Sequence, residues 1–203
     1  MRVSKGDIFE RVYINEEVNL QIDQEAGSHV KIHVINASFS ITVNQLGEGC
    51  ITEIYGLENL HGEDDVTAET HVTHSVGGGC SNQLIKFVLD DNARGHFVGE
   101  LKIAQDAQKT EAHQTNRNLV LSKTAEMRTQ PQLEIYADDV QATHGASTGQ
   151  LDETAVFYMQ QRGISKEKAR QLLVAAFMKE VLNTISDTSL REQLLNSVDG
   201  VVE

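Results

Sequence analysis

At 203 residues the chain has the length of one domain, or of one domain with an appendage, and can bury a core without disulfide or metal staples. A net charge of −13 sets it against nucleic acid and anionic membrane, both of which would repel it. No apolar run reaches the length of a membrane span, Met1–Asp7 leads into no apolar signal region, and Cys50 and Cys80 make no disulfide framework, so a cytoplasmic protein with free thiols is expected.

The acidic surface belongs mainly to the N-terminal half: residues 1–99 carry 15 acidic against 6 basic side chains, and residues 152–203 carry 8 against 6. Val12, Ile14, Val18, Leu20 and Ile22 share one parity, which predicts two short strands broken at Asn15-Glu16-Glu17. Val30, Ile32 and Val34 alternate with polar neighbours, and so do Phe39, Ile41 and Val43 in the opposite phase, so a corner separates two strands. Further strands are predicted over 50–57, 66–74, 81–89 and 109–122, with an inward row of Phe97, Gly99, Leu101 and Ile103 between the last two. Residues 58–65 read as a polar loop, Gly77-Gly78-Gly79 as a flexible turn and 124–130 as a lead-in. Short strands recurring at such spacing fit a sandwich, a barrel or a β-solenoid. Residues 1–150 hold no Asn-Gly or Asp-Gly pair, which disfavours tight hairpins, and Gln105, Gln108, Gln114 and Asn116 would suit stacked polar ladders, but no strict repeat decides among the three.

Leu133, Ile135 and Ala137, then Val140 and Ala142, continue the strand period, with His144 in phase. Gly145-Ala146-Ser147-Thr148-Gly149 is expected to stop it. From Asp152 the apolar spacing becomes helical, with Gly163 as a C-terminal glycine. Ser165 is placed to cap a longer helix whose apolar stripe is Ala169, Leu172, Leu173, Ala176, Phe177, Val181 and Leu182. Ser189-Leu190-Arg191-Glu192 reads as a capping box for a third helix. These helices must dock on the β-part or on a partner.

Little in the chain carries chemistry by itself. His71 and His74 fall on opposite faces of a strand, so with Cys80 they make no zinc site. Asp138 and Asp139 diverge in the same way, and one carboxylate is expected to bond the backbone at a bend. There is no Ser-His-Asp elbow, Walker loop or GxGxxG fingerprint. His144 has two readings: a histidine bonding a buried backbone group, or a neutral imidazole placed to ligate iron.

The motif run is more specific. Ala107-Gln108-Lys109-Thr110, Gln114, Asn116, Leu121-Ser122, Pro131, Leu133-Glu134-Ile135, Asp138-Asp139-Val140, His144-Gly145-Ala146, Gly149-Gln150-Leu151-Asp152, Phe157-Tyr158 and Arg162-Gly163-Ile164 together resemble the SufB/SufD family of iron–sulfur cluster assembly scaffolds, on its SufD side. The resemblance covers residues 80–200. It implies a mainly β chain: a right-handed parallel β-helix over 1–150, followed by a small C-terminal α-helical domain over 151–203. It also implies a non-catalytic scaffold pairing through its β-helix, as a homodimer or with a SufB-like partner. An ABC-type ATPase (SufC-like) would dock on the C-terminal helices, for which Phe157, Tyr158, Arg162, Leu172, Leu173 and Phe177 are the candidate residues. No cofactor is expected to be held stably by this chain alone; iron or an iron–sulfur cluster would pass transiently beside His144 at a subunit interface. The cysteine usual in the family two residues before this histidine is Ala142 here, and family members are commonly much longer, so a short form or a fragment is expected. Two other readings stay open: a homodimeric adaptor without cluster chemistry, consistent with Ala142, and a β-solenoid enzyme acting on acidic polysaccharide, motivated by the Asp pair and opposed by the charge.

Overall fold

The computed structural model describes residues 1–200, with side chains as far as Val198. Twelve strands come first: β1 (Arg2–Val3), β2 (Ile8–Ile14), β3 (Val18–Gln24), β4 (His29–Ile35), β5 (Phe39–Gln45), β6 (Ile51–Leu60), β7 (Asp65–His74), β8 (Cys80–Leu89), β9 (Arg94–Ile103), β10 (Thr110–Val120), β11 (Glu126–Ile135) and β12 (Val140–Gly149). Three helices follow: α1 (Glu153–Gln160), α2 (Lys166–Leu182) and α3 (Thr188–Gly200). Odd-numbered strands form one six-stranded sheet and even-numbered strands another. The paired strands run parallel, so the chain coils from sheet to sheet as a parallel β-solenoid.

The coils are not uniform. Arg2 pairs with Asp23 and Ile8 with His29, an advance of 21 residues. Phe39 pairs with Ala68, 29 residues on, and Arg94 with Glu126, 32 on. The longer coils carry ten- or eleven-residue strands where the early ones carry seven. One consequence corrects the loop expected over 58–65: β6 runs through to Leu60, and only residues 61–64 turn.

Alternation places every second side chain inside. Ile22, Ile32, Val34, Ile41, Val43, Ile54, Phe97 and Leu101 fill the core. Corners are turned at left-handed residues, among them Asn36 (φ 55) and Asp91 (φ 52), types whose short polar side chains tolerate that conformation. The Asn36 side chain then accepts a hydrogen bond from the Asn59 backbone N–H one coil later, at 2.9 Å. The Gly77–Gly79 turn is not the loose one expected, because a Cβ at Gly79 would overlap Gln45 Oε1 and one at Gly77 would overlap the Gln108 carbonyl.

The helices fold back across the outer face of the even-numbered sheet. Met178, Val181, Leu182 and Ile185 pack there on Ile35, Tyr55, Leu57, Val88 and Leu119. A cavity of about 650 Å³ remains at this seam, between Ile35 and Leu57 on one side and Val174 and Met178 on the other. Ser165 caps α2 by accepting from the Lys168 N–H at 3.1 Å, and Gly163 (φ +84) closes the turn after α1. Two expectations change. The third helix is capped by Asp187, which accepts from the Leu190 N–H at 3.0 Å, rather than by Ser189. The buried face of α2 includes Ala175 and Met178, while Ala176 is exposed and Leu172, Leu173 and Phe177 are half-buried.

Candidate functional site: the open end of the solenoid

β11 and β12 are the last strands of their sheets among the described residues, and each is ten residues long. Each leaves one edge of backbone N–H and C=O groups without a strand partner, the arrangement that templates pairing with another chain. The small-residue run Gly145–Gly149 does not stop β12, contrary to the expectation; it stays in register with Thr115–Leu119 of β10 to its end. Residues with little or no side chain still continue a parallel ladder, because the backbone makes the bonds.

Register decides what faces the open end. Ala112, Gln114, Asn116 and Asn118 point inward from β10 and are buried, Gln114 and Asn116 at 1% exposure. Directly above them stand Ala142, His144, Ala146 and Thr148 of β12. Asn118 Nδ2 donates to Thr148 Oγ1 at 3.1 Å, which fixes this as the inner face. His144, Ala146 and Thr148 are exposed because no described coil lies beyond them. Across the mouth, Met127, Thr129, Pro131, Leu133 and Ile135 continue the column tops of β9. The open end is therefore a cross-section of the core, with apolar and hydroxyl-bearing side chains on show and one imidazole among them.

Asn116 and Asn118 bond each other reciprocally, at 3.0 and 2.7 Å. Gln114 Nε2 donates to Gln83 Oε1 at 3.3 Å, while Gln114 Oε1 and Thr129 Oγ1 are buried without a partner among the described residues. Among the described residues, no three His, Cys, Asp or Glu side chains converge as a metal site.

The other sequence candidates lie elsewhere. Cys50 is buried at a corner, donating to the Glu25 and Gly47 carbonyls, both at 3.1 Å. Cys80 sits on β8, two strands from β12 in the sheet, and burial pushes its thiol pKa up, helped by Glu111 and Glu53. His71 bonds Glu100 at 3.1 Å on the outer face and His74 bonds Ser81 Oγ at 2.8 Å inside, so the two do diverge. At the Asp138-Asp139 bend, it is the Asp139 backbone that bonds, its N–H to Gln108 Oε1 and its C=O to the Lys109 N–H.

The proposed docking residues separate into two groups. Phe157 and Tyr158 on α1 are exposed, at 60% and 58%, and the Arg162 guanidinium stacks over the Tyr158 ring, 3.4 Å from its centroid. Phe177 instead belongs to the helix–solenoid seam, where Lys86 Nζ lies 4.1 Å from its ring centroid. Leu172 and Leu173 are half-buried on α2. Sequence reasoning missed Lys86, which is 1% exposed yet charged, bonding Glu180 and the Phe177 carbonyl. A lysine at an outward position of a strand gives no hint that a helix will cover it.

The match to known proteins agrees with this geometry. The domain described as "SUF system FeS cluster assembly, SufBD core domain" matches residues 15–177. The iron–sulfur cluster assembly protein SufD of Escherichia coli is 42% identical over 126 residues, covering 62% of this chain and 30% of that protein. The SufBD family protein slr0076 of Synechocystis is 37% identical over 87% of this chain and 38% of its own length. The chloroplastic protein ABCI7 of Arabidopsis thaliana is 31% identical over 89% of this chain and 39% of its own. The chain thus spans well under half the length of these curated relatives. With most of the solenoid and the start of the helical segment inside the match, the chain belongs to the SufBD family of iron–sulfur cluster assembly proteins.

Proposed function

We propose that this chain is a non-catalytic scaffold subunit of a SUF-type iron–sulfur cluster assembly complex, built as a solenoid over 1–150 and a helical module over 151–203. The observation that carries the reading is the open end, where two ten-residue strand edges flank a core cross-section bearing His144. An exposed surface of that kind is stable in water only when charged, bulged or covered. A second solenoid, from a like chain or a SufB-like partner, would cover it and extend both sheets. His144 would then lie at the joint as one neutral ligand for iron or a nascent cluster, which is cargo here. The remaining ligands would come from the partner, since no three ligand side chains converge among the described residues of this chain.

The exposed Phe157–Tyr158–Arg162 patch suits the contact of an ABC-type ATPase (SufC-like), with Leu172 and Leu173 as flanking contacts. Phe177 serves instead to join the helices to the solenoid. ATP-driven dimerisation of such ATPases would move the paired scaffolds and open the joint.

A second reading, a homodimeric adaptor without cluster chemistry, draws support from Ala142, which removes a thiolate from beside His144. Iron reconstitution of the assembled complex separates the two. The scaffold reading predicts that His144→Ala lowers bound iron without dissociating the complex. Equal iron in both proteins favours the adaptor.

A further inference from the structure

A stack of amides runs beneath His144 on the inner wall of the solenoid. Ile32, Ile54, Gln83, Gln114 and His144 occupy one column, each in register with the next. The two isoleucines belong to the apolar core, whereas the two glutamines, just as buried, bring polar groups that need partners. They are only partly satisfied: Gln114 Nε2 donates to Gln83 Oε1, while Gln83 Nε2 and Gln114 Oε1 find no partner among the described residues. The opposite wall makes room for this amide. Gly99 faces it, and a Cβ there would stand 2.5 Å from Gln114 Nε2. The donor end of Gln114 is thus committed to the coil below. Its acceptor end is left for the coil above, which carries His144 at that register position.

We propose that Gln114 is the positioning residue for His144: as the imidazole, exposed in this structure, turns inward over its column, Gln114 Oε1 accepts the N–H of one ring nitrogen, fixes the neutral tautomer and leaves the lone pair of the other nitrogen facing the open end. The inference rests on the role given to His144 above and names what orients it. A ligating imidazole uses one nitrogen while an acceptor holds the proton on the other. An amide oxygen does this without adding a charge next to the cargo. The same bond satisfies a buried acceptor that would otherwise be left unmade.

The test is nitrogen NMR of the histidine rings in the full chain at a pH of about 8.5, above the ordinary histidine range. The His144 signals are identified by their loss in His144→Ala. The wild-type chain should show one His144 tautomer in roughly tenfold excess, the ratio that a net hydrogen bond of about 1.4 kcal/mol supports. Gln114→Met should collapse that ratio toward the value of free imidazole. A wild-type His144 without a dominant tautomer overturns the proposal, with no variant needed. So do identical His144 ring signals in wild type and a folded Gln114→Met. A dominant tautomer released by Gln114→Met supports the proposal even if the chain takes up no iron, in which case only the role of His144 falls. Iron uptake that depends on His144, with ring signals indifferent to Gln114, supports that role and overturns the positioning.

Discussion

Glu58 points into the solenoid from β6, fully buried, with Oε2 accepting the Ala37 N–H at 2.8 Å and Oε1 unpartnered among the described residues. Burial pushes its pKa up to about 8. The folded state therefore keeps a proton that the unfolded chain loses above about 4.5, and stability contributed by this group falls as pH rises from about 4.5 to 8. His33 and His74 work in the other direction. Burial lowers each to about 4, so stability is present above about 6.5 and is lost as pH falls toward 4. For these three groups together, stability peaks near pH 6.5, because two histidine protons outweigh one carboxyl proton below that point and only Glu58 acts above it. Urea unfolding across pH 4 to 9 tests this. Glu58→Gln, which mimics the protonated acid, should flatten the alkaline side and raise stability at pH 8 by about 2 kcal/mol or more. An unchanged alkaline slope would show that Glu58 titrates normally.

At the scale of elements, α2 is held to the solenoid by a charged joint set in an apolar seam. Lys86 bonds Glu180 and the Phe177 carbonyl, and Arg117 Nη1 donates to both Glu180 oxygens at 3.0 and 3.1 Å. Burial pulls the Lys86 pKa down and the bond to Glu180 works against that, while the hydrogen bond from Lys86 holds the Glu180 carboxyl low. Removing the anion leaves a buried ammonium with only a carbonyl and a ring face. Glu180→Gln should destabilise the chain by about 2 kcal/mol, less than a fully buried pair would lose because Glu180 is part-exposed. Lys86→Met, which removes the buried charge and keeps the volume, should have a smaller effect in the same thermal or urea unfolding. The elements also show how far the sequence could be read. Strand periods in β4, β5, β7 and β9 are plain because apolar residues recur at every second position of one face. The end of β12 is not, since small residues carry no side-chain period while the backbone ladder continues through them. The α3 cap was misplaced by two residues because Asp187 and Ser189 both offer a capping oxygen, and the sequence does not reveal which precedes the first helical turn.

For the whole molecule, the solenoid was legible only through the family resemblance, and the coil lengths show why. An advance of 21 residues that lengthens to between 29 and 32 leaves no fixed period to find. The column that runs from Ile32 up to His144 also changes character from aliphatic to amide to imidazole over that stretch, and Arg11 stands below Ile32, so stacked positions do not look alike. His144 could be singled out from its motif, but that it stands inward at an open end follows only from register. The same register makes a prediction about pairing. Ala146 is exposed on the inner face of β12, so Ala146→Glu should leave the single chain folded with unchanged Tm, yet place a carboxylate in any joint between two open ends. Pairing should weaken at least tenfold, or by about 1.4 kcal/mol.

The most direct test of the scaffold reading is the mass of the assembly by light scattering on a sizing column, for wild type and Ala146→Glu, each alone and mixed with a SufB-like partner. Pairing through the open end predicts a two-chain species for wild type, alone or with the partner, and its loss in Ala146→Glu. A wild-type chain that stays single in both conditions, or a pair indifferent to Ala146→Glu, would contradict it.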